Sequence, residues 1–435
     1  MNRFLTFILI ALFSSPAWAQ TYTLDQAINK ALENNVNVRQ SKLLVDVAAV
    51  NLSQARGNLL PSLNAELNHG VNQGRSIDPF TNSYVNQSVS YAGYGASTGV
   101  VLFNGLSLQN TLRQQQRNYE AGKLEWQQEK DNLVLNVVLA YLSVLSSRDQ
   151  LASAREQARL SEEQLERLKI MDSKGAVSPS QVTDMQGQLM NDRLNIENLR
   201  SQMEVNKLTL AQMMNVPYSK DMQVEDLAPE PFTDAGADAE GVYSRALEHI
   251  PAVKAANLRA DAAAFGVKSA RGQMLPSLVL GANVQTNYSS VAQNATGKIP
   301  YNEQLQNNLF STVNLGLRVP LFNGRQAKNR VKLAEIEVNN AELQEESVKL
   351  QLKQQVEQAS LNATNAMERY RLLQEQVKAF EQSFTAAEAR FNAGVGTTID
   401  YLTAKTNLDR AQLNLINAQY EYILRKKILD YYNGQ

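Results

Sequence analysis

No cysteine occurs among the 435 residues, which excludes disulfides and thiolate metal sites. The only two histidines, His69 and His249, lie far apart with no cluster of acids at ligand spacing, so no metal centre is expected. Lys and Arg total 42 against 43 Asp and Glu, at a sequence pI near 6.3, and this balance leaves no electrostatic footprint for nucleic acid. There is no nucleophile elbow, phosphate-cradling glycine loop or paired-carboxylate arrangement, so neither a catalytic residue nor a cofactor is expected. Beyond the first residues no apolar run reaches the roughly 18 residues of a membrane helix. The nearest, Leu133 to Leu145, is broken by Asn136 and reads as a buried helix segment. If the chain crosses a membrane, strands must do it.

What is present begins with an apolar run from Phe4 to Phe13 that leads to Ala17-Trp18-Ala19. This has the form of a secretory signal peptide, residues 1–19, with small residues where a peptidase cuts. No cysteine follows the cut, so no acyl anchor is expected.

A seam runs from Leu352 to Phe391. Apolar residues at Leu352, Val356, Ala359, Ala363, Ala366 and Tyr370, and onward to Phe391, alternate in steps of four and three, the signature of coiled-coil packing. The helical pattern around it, Gln326 to Ala393, reaches roughly 100 Å at ~1.5 Å per residue, too long for a compact globular domain.

The chain also repeats itself. Leu60-Pro61-Ser62-Leu63 returns as Leu275-Pro276-Ser277-Leu278, and Leu102-Phe103-Asn104-Gly105 as Leu321-Phe322-Asn323-Gly324. A period of about 217 residues marks a duplicated domain rather than a solenoid array. The expected division is repeat one over 20–215, a Pro-rich acidic linker over 216–238, and repeat two over 239–435. Each repeat opens with a helix (Leu24 to Asn58, Ala239 to Met274) that converts to strand at Pro61 or Pro276, because proline breaks the helical ladder and biases its predecessor to extended backbone.

Two alternating stretches follow in each repeat, separated by a polar loop (Gln73 to Ser88, Ser289 to Asn308). In the first, Leu63, Ala65, Leu67, His69 and Val71 alternate with Asn64, Glu66, Asn68 and Gly70. Period two with one apolar and one wet face is that of a strand, and about 10 to 12 residues suffice for a tilted strand to span a bilayer. Glu66 and Arg318 fall on the wet face, where they would line a lumen or simply be solvated. After Gly105 and Gly324 come long helices that fold back as hairpins, with turns at Gly175 and at Gly394. The expected fold class is mainly α with membrane β. Four strands cannot close a barrel, and open edges are not tolerated in hydrocarbon, so the chain must oligomerise. Three copies would give twelve strands around a water-filled lumen.

The order helix, Leu-Pro-Ser-Leu, strand, loop, strand, Leu-Phe-Asn-Gly, helical hairpin, duplicated behind a cleavable leader, resembles the TolC family of outer-membrane efflux proteins over essentially the whole mature chain. The resemblance implies a homotrimeric channel-tunnel, with a β-barrel in outer-membrane lipid and an α-helical tube in the periplasm. It implies a periplasmic adaptor and an inner-membrane pump as partners. It also implies a gate at the helical tips, with acidic residues just after the second glycine turn. Gly394-Val395-Gly396-Thr397-Thr398-Ile399-Asp400 matches that turn, and Asp400 its first acidic position. Three copies of Asp400 would ring the entrance and raise one another's pKa values; alternatively Asp400 is a carboxylate stabilising a helix N-terminus. Thr403 stands where a second acid is often found, Thr398 where a basic residue often locks the tip, and Gln181 near its acidic partner. A hydrogen-bonded rather than ionic lock is therefore expected. The competing class is a trimeric coiled-coil surface stalk, which usually carries one terminal barrel segment rather than two symmetrically placed strand pairs.

Overall fold

The computed structural model describes residues 21–77, 82–86, 88–227 and 238–434. The expected leader, residues 1–19, and part of the expected linker lie outside the described residues.

Repeat one contributes β1 (Thr21–Tyr22), α1 (Leu24–Asn34), α2 (Val36–Gly57), β2 (Ser62–Asn72), a small hairpin of β3 (Arg75–Ile77) and β4 (Tyr84–Asn86), β5 (Val89–Phe103), α3 (Ser107–Ser173) and α4 (Pro179–Met214), followed in the linker by β6 (Gln223–Val224). Repeat two contributes α5 (Ala239–His249), α6 (Pro251–Gly272), β7 (Ser277–Ser289), β8 (Gln293–Asn294), β9 (Gly297–Lys298), α7 (Tyr301–Asn307), β10 (Phe310–Arg318), α8 (Gln326–Asn392) and α9 (Thr398–Asn433).

The expected single opening helix of each repeat is two helices. In repeat one the break is at Asn35, whose side-chain oxygen accepts from the backbone of Asn37 (2.9 Å) and Val38 (3.2 Å), capping the next helix as it ends the last. In repeat two Pro251 takes the first position of α6, where its missing N–H costs nothing and its neighbour Ile250 is extended. The apolar periodicity passes through both breaks, which hides them. The second polar loop contains a helix: α7 is held to β7 by the buried Gln304, which bonds the backbone of Ser289 in both directions.

All four long strands form one antiparallel sheet in the order β10-β7-β5-β2. The two repeats meet inside it, at β5 and β7, where Gly99 stands opposite Gly281. Among the described residues β2 and β10 pair on one side only, and β10 is exposed along its whole length. One face carries Leu63, Leu67, Leu280, Leu315 and Leu317, the other Glu66, Gly95, Asn283 and Arg318, as the alternation requires.

Two compact units divide the chain, and each takes part of both repeats. Residues 43–124 and 253–347 hold the sheet. Residues 21–42, 125–252 and 348–434 hold the antiparallel hairpins α3–α4 and α8–α9. Their direction is fixed by partners such as Ser161 with Asp192 and Ser143 with Asn206 in the first, and Tyr370 with Tyr422 in the second. The core of this unit centres on Val137, Tyr141, Leu145, Leu210 and Met214. The described part of the linker lies on that core: β6 pairs in parallel with β1, and the Tyr141 hydroxyl is shared between the carbonyls of Tyr22 (2.9 Å) and Glu225 (2.8 Å). No helix among the described residues is long and apolar enough to cross a membrane.

Candidate functional site

The two hairpin turns are built alike. At the first, the Ala176 N–H donates to the Met171 carbonyl (2.9 Å) and the Gly175 N–H to that of Asp172 (2.8 Å). At the second, Val395 donates to Arg390 and Gly394 to Phe391, both at 3.1 Å. Each is a Schellman closure, which needs a left-handed residue just past the cap; Gly175 at φ +69° and Gly394 at φ +74° supply it. Gly396 has a different reason to be glycine: a Cβ there would lie 2.9 Å from the Phe391 nitrogen, so the chain passes against the helix end with no room for a side chain.

The helices restart differently. Ser178 caps α4 with Pro179 behind it. Thr397 and Asp400 form a capping box at α9, in which the Asp400 N–H donates to the Thr397 hydroxyl (3.1 Å) and the Thr397 N–H donates back to the carboxylate (3.4 Å), which also accepts from the Thr397 hydroxyl (2.7 Å). The Thr397 hydroxyl, then its backbone N–H, hold the exposed Asp400 carboxyl below its ordinary range. Within one chain Asp400 is thus a helix-end carboxylate. The apolar residues differ too: Val177 packs inward, whereas Val395 and Ile399 are 78% and 73% exposed.

The two hairpins pack on each other through Leu165, Leu168, Met185, Leu189, Phe391 and Tyr401. Behind this apolar layer lies a polar cluster. Lys405, only 1% exposed, places its ammonium 2.6 Å from Asp409 on the same helix and 3.2 Å from Asp192 of α4. Asp192 also accepts from Ser161 (2.5 Å) and Gln188 (2.7 Å), so three helices converge on one carboxylate. Among the described residues Asp409 is bonded by Lys405 alone. Burial holds the Asp409 carboxyl above its ordinary range, with Lys405 pulling it down and Asp192 pushing it up. Burial, then the charges of Glu388, Asp409 and Asp192, push the Tyr401 phenol up. Nearer the turns, Arg167 donates to Asn392 (2.7 Å).

The contact between hairpins within one chain thus combines apolar packing, hydrogen bonds and one buried ion pair between Lys405 and Asp192, on residues outside the expected set. The available signal was the seam itself: Asp192 and Lys405 stand at heptad positions otherwise apolar, and a charge there must be paired. Of the expected tip residues, Thr403 is exposed and Gln181 half-buried on the first turn of α4. Thr398 is 4% exposed, and its hydroxyl has no hydrogen-bond partner among the described residues.

At the sheet, Glu66 accepts from Asn68 on the wet face (2.9 Å). Arg318 ends β10 on that same face, but three strands away, so one chain does not bring the two together. Pro61 and Pro276 stand just before β2 and β7, as expected. The Asn-Gly turns are both left-handed pairs: Gly105-Leu106 at φ +66° and +63°, Gly324-Arg325 at +60° and +65°. Ser107 and Gln326 close them by donating to Asn104 and Asn323. Among the described residues no three His, Cys, Asp or Glu are placed to hold a metal.

Comparison with known proteins completes the description. A family described as outer membrane efflux protein matches the chain twice, at residues 27–216 and 242–431. The outer membrane protein TolC of Vibrio cholerae is 26% identical over 94% of this chain and 90% of its own. The pyoverdine export outer membrane protein OpmQ of Pseudomonas putida is 27% identical over 89% and 81%. Among solved structures, the outer membrane protein VceC of Vibrio cholerae superposes with a TM-score of 0.80 at 15% identity, over 94% of this chain and 96% of that one.

Proposed function

The chain belongs to the outer membrane efflux protein family, and from that premise we propose that three copies of it close one β-barrel and one helical tunnel that opens at the paired turns. It is an outer-membrane channel, the exit duct of a tripartite export system. The observation that carries the trimer is the four-stranded sheet with two unpaired edges, because hydrocarbon offers no water to satisfy them.

We read the chain as repeats over 20–215 and 239–435 joined by a linker over 216–238, a reading that their matching elements support. Substrate passes by diffusion, and we read the chain as non-enzymatic. A periplasmic adaptor meets the exposed second turn, where Val395 and Ile399 face outward, and an inner-membrane pump supplies cargo and energy. Relatives named for pyoverdine export and for toxin and drug export put small amphiphiles and polypeptides among the cargo classes to test. The turns form the gate, and three Asp400 carboxylates facing one another there favour cations.

The test is the mass of protein extracted gently from outer membranes, followed by conductance in planar bilayers. A mass near three chains of 48.3 kDa, less the leader, with cation-selective channels that lose selectivity in Asp400→Asn, is the expected result. A monomer that stays monomeric when extraction is shown not to dissociate it overturns the trimer.

A further inference from the structure

We propose that the open edges close by repeating between chains the seam that joins β5 to β7 within one chain, so that Arg318 of each copy pairs with Glu66 of the next. The inference rests on the trimeric reading above and specifies its register.

The duplication relates the internal seam to the open edges. Superposing Pro61 on Pro276 carries β2 onto β7, Glu66 onto Gly281 and Gly57 onto Gly272. Superposing Gly105 on Gly324 carries β5 onto β10 and Gly99 onto Arg318. Inside the chain Gly99 stands opposite Gly281. The equivalent position between chains therefore sets Arg318 opposite Glu66, two opposite charges on the wet face where the internal seam has two glycines.

The same transfer sets Leu317 opposite Leu67, Leu315 opposite His69, and Val313 opposite Val71. These apolar residues of β10 then meet the lipid-side face of their partner strand. A slip of one residue would turn that face inward. A slip of two keeps the faces but sets Arg318 against Asn64 or Asn68, so the ion pair selects among the registers that alternation allows.

Two further contacts are left half-made in the same way. Within the chain Gly105 packs on Gly272 so closely that a Cβ on Gly105 would lie 2.3 Å from the Gly272 carbonyl oxygen. A Cβ on their counterparts Gly324 and Gly57 would meet nothing within 4 Å among the described residues. The α6 helix is covered by α3, with Ser269 bonded to Ser107 and Thr111 and Ala262 buried. Its counterpart α2 leaves Val47 and Val50 exposed, and α8, the counterpart of α3, leaves Leu333 and Ile336 exposed. All these unmet surfaces belong to the elements that adjoin the two edge strands in the chain, α2 and Gly57 before β2, Gly324 and α8 after β10.

The absence of native cysteine makes the register directly readable. Directly opposite residues of an antiparallel pair have Cα atoms about 4.5 to 5.5 Å apart, within disulfide reach. Chains carrying Leu67→Cys with Leu317→Cys are expected to link into covalent oligomers under mild oxidation. Leu67→Cys with Val313→Cys, set about four residues off, is expected not to link. Preferential linking of Leu67→Cys with Leu315→Cys, the register slipped by two, overturns the proposal while leaving the trimer intact. Light scattering on the unlinked protein separates the two failures, since a monomer sinks both. Glu66→Arg or Arg318→Glu alone is expected to lower the trimer fraction several-fold at each of three seams, and the double exchange to restore it. Failure of the double exchange to restore it, in chains whose single variants still insert, also overturns the pairing.

Discussion

The two repeats agree in backbone and differ in what surrounds it. Their opening helices have 11 and 22 residues in both, and their hairpin arms 67 and 36 in both; the turns close with the same hydrogen bonds. Yet the Gly105 turn of repeat one is packed against α6, while the Gly324 turn of repeat two is bare. At the tips, the first turn tucks Val177 inward and the second exposes Val395. Duplication preserved the chain's path, and on the trimeric reading proposed above the inequality marks where each repeat has its partner: inside the chain for one, in another chain for the other.

The largest expected effect comes from the cluster to which both repeats contribute. Lys405→Met leaves Asp192 and Asp409 buried without their cation and should destabilise the packed hairpins by about 3 to 5 kcal/mol, read as a lowered Tm at neutral pH and partly recovered in acid. The sign follows from Asp409. Its carboxyl is raised in the packed state, so packing takes up a proton, and its stabilisation is full below the ordinary carboxylate range and lost as pH rises through the raised value. Asp409→Asn should flatten that part of the pH profile. An unchanged profile would show that the cluster does not titrate as the geometry requires.

Next is the contrast between glycine turns. Gly105→Ala forces a side chain into left-handed backbone, about 1 to 2 kcal/mol, and also against the Gly272 carbonyl, so it should lower Tm by more than Gly324→Ala in a detergent-dissociated chain. In the assembled protein the two should become equally damaging. A Gly324→Ala protein that assembles without loss would break the equivalence of the seams.

Smaller effects should separate the tips. Thr397→Ala removes the capping box at about 1 kcal/mol and frees Asp400 from the bonds that hold its pKa down. As that carboxyl is lowered in the folded chain, its stabilisation is present above the ordinary carboxylate range and lost as pH falls through the lowered value, opposite in sign to Asp409; a melt of the variant across acid pH should show less loss than the wild type. Smallest of all, Thr398→Val should leave the Tm of the isolated chain within about 0.5 kcal/mol equivalent, because its hydroxyl bonds nothing there. A change in bilayer conductance with no change in Tm would place that hydroxyl on a neighbouring chain.

Much of this was legible in the residues. The hairpins read clearly because a coiled-coil seam repeats over many turns, and the strands because period two continues for ten residues. The turns read from single glycines at helix ends. The breaks at Asn35 and Pro251 did not, because apolar periodicity continues across them while the local caps decide. The helix α7 was hidden in a polar stretch, since what holds it is one buried glutamine bonded to a strand. The cluster of Asp192, Lys405 and Asp409 escaped because its members lie on two hairpins more than two hundred residues apart, and each alone reads as a solvated charge or a lapse in a heptad.

The sequence alone determined the duplication, the alternation that fits four strands to a bilayer and the glycine turns that close the hairpins, because each depends on local spacing and on which side chains the chain carries. Only the tertiary structure decided that the repeats join at β5 and β7, that a lysine between two aspartates ties the hairpins, and which edges stay open. Those depend on which distant surfaces come into contact, and burial of charge and pairing of strands have no local periodicity to read.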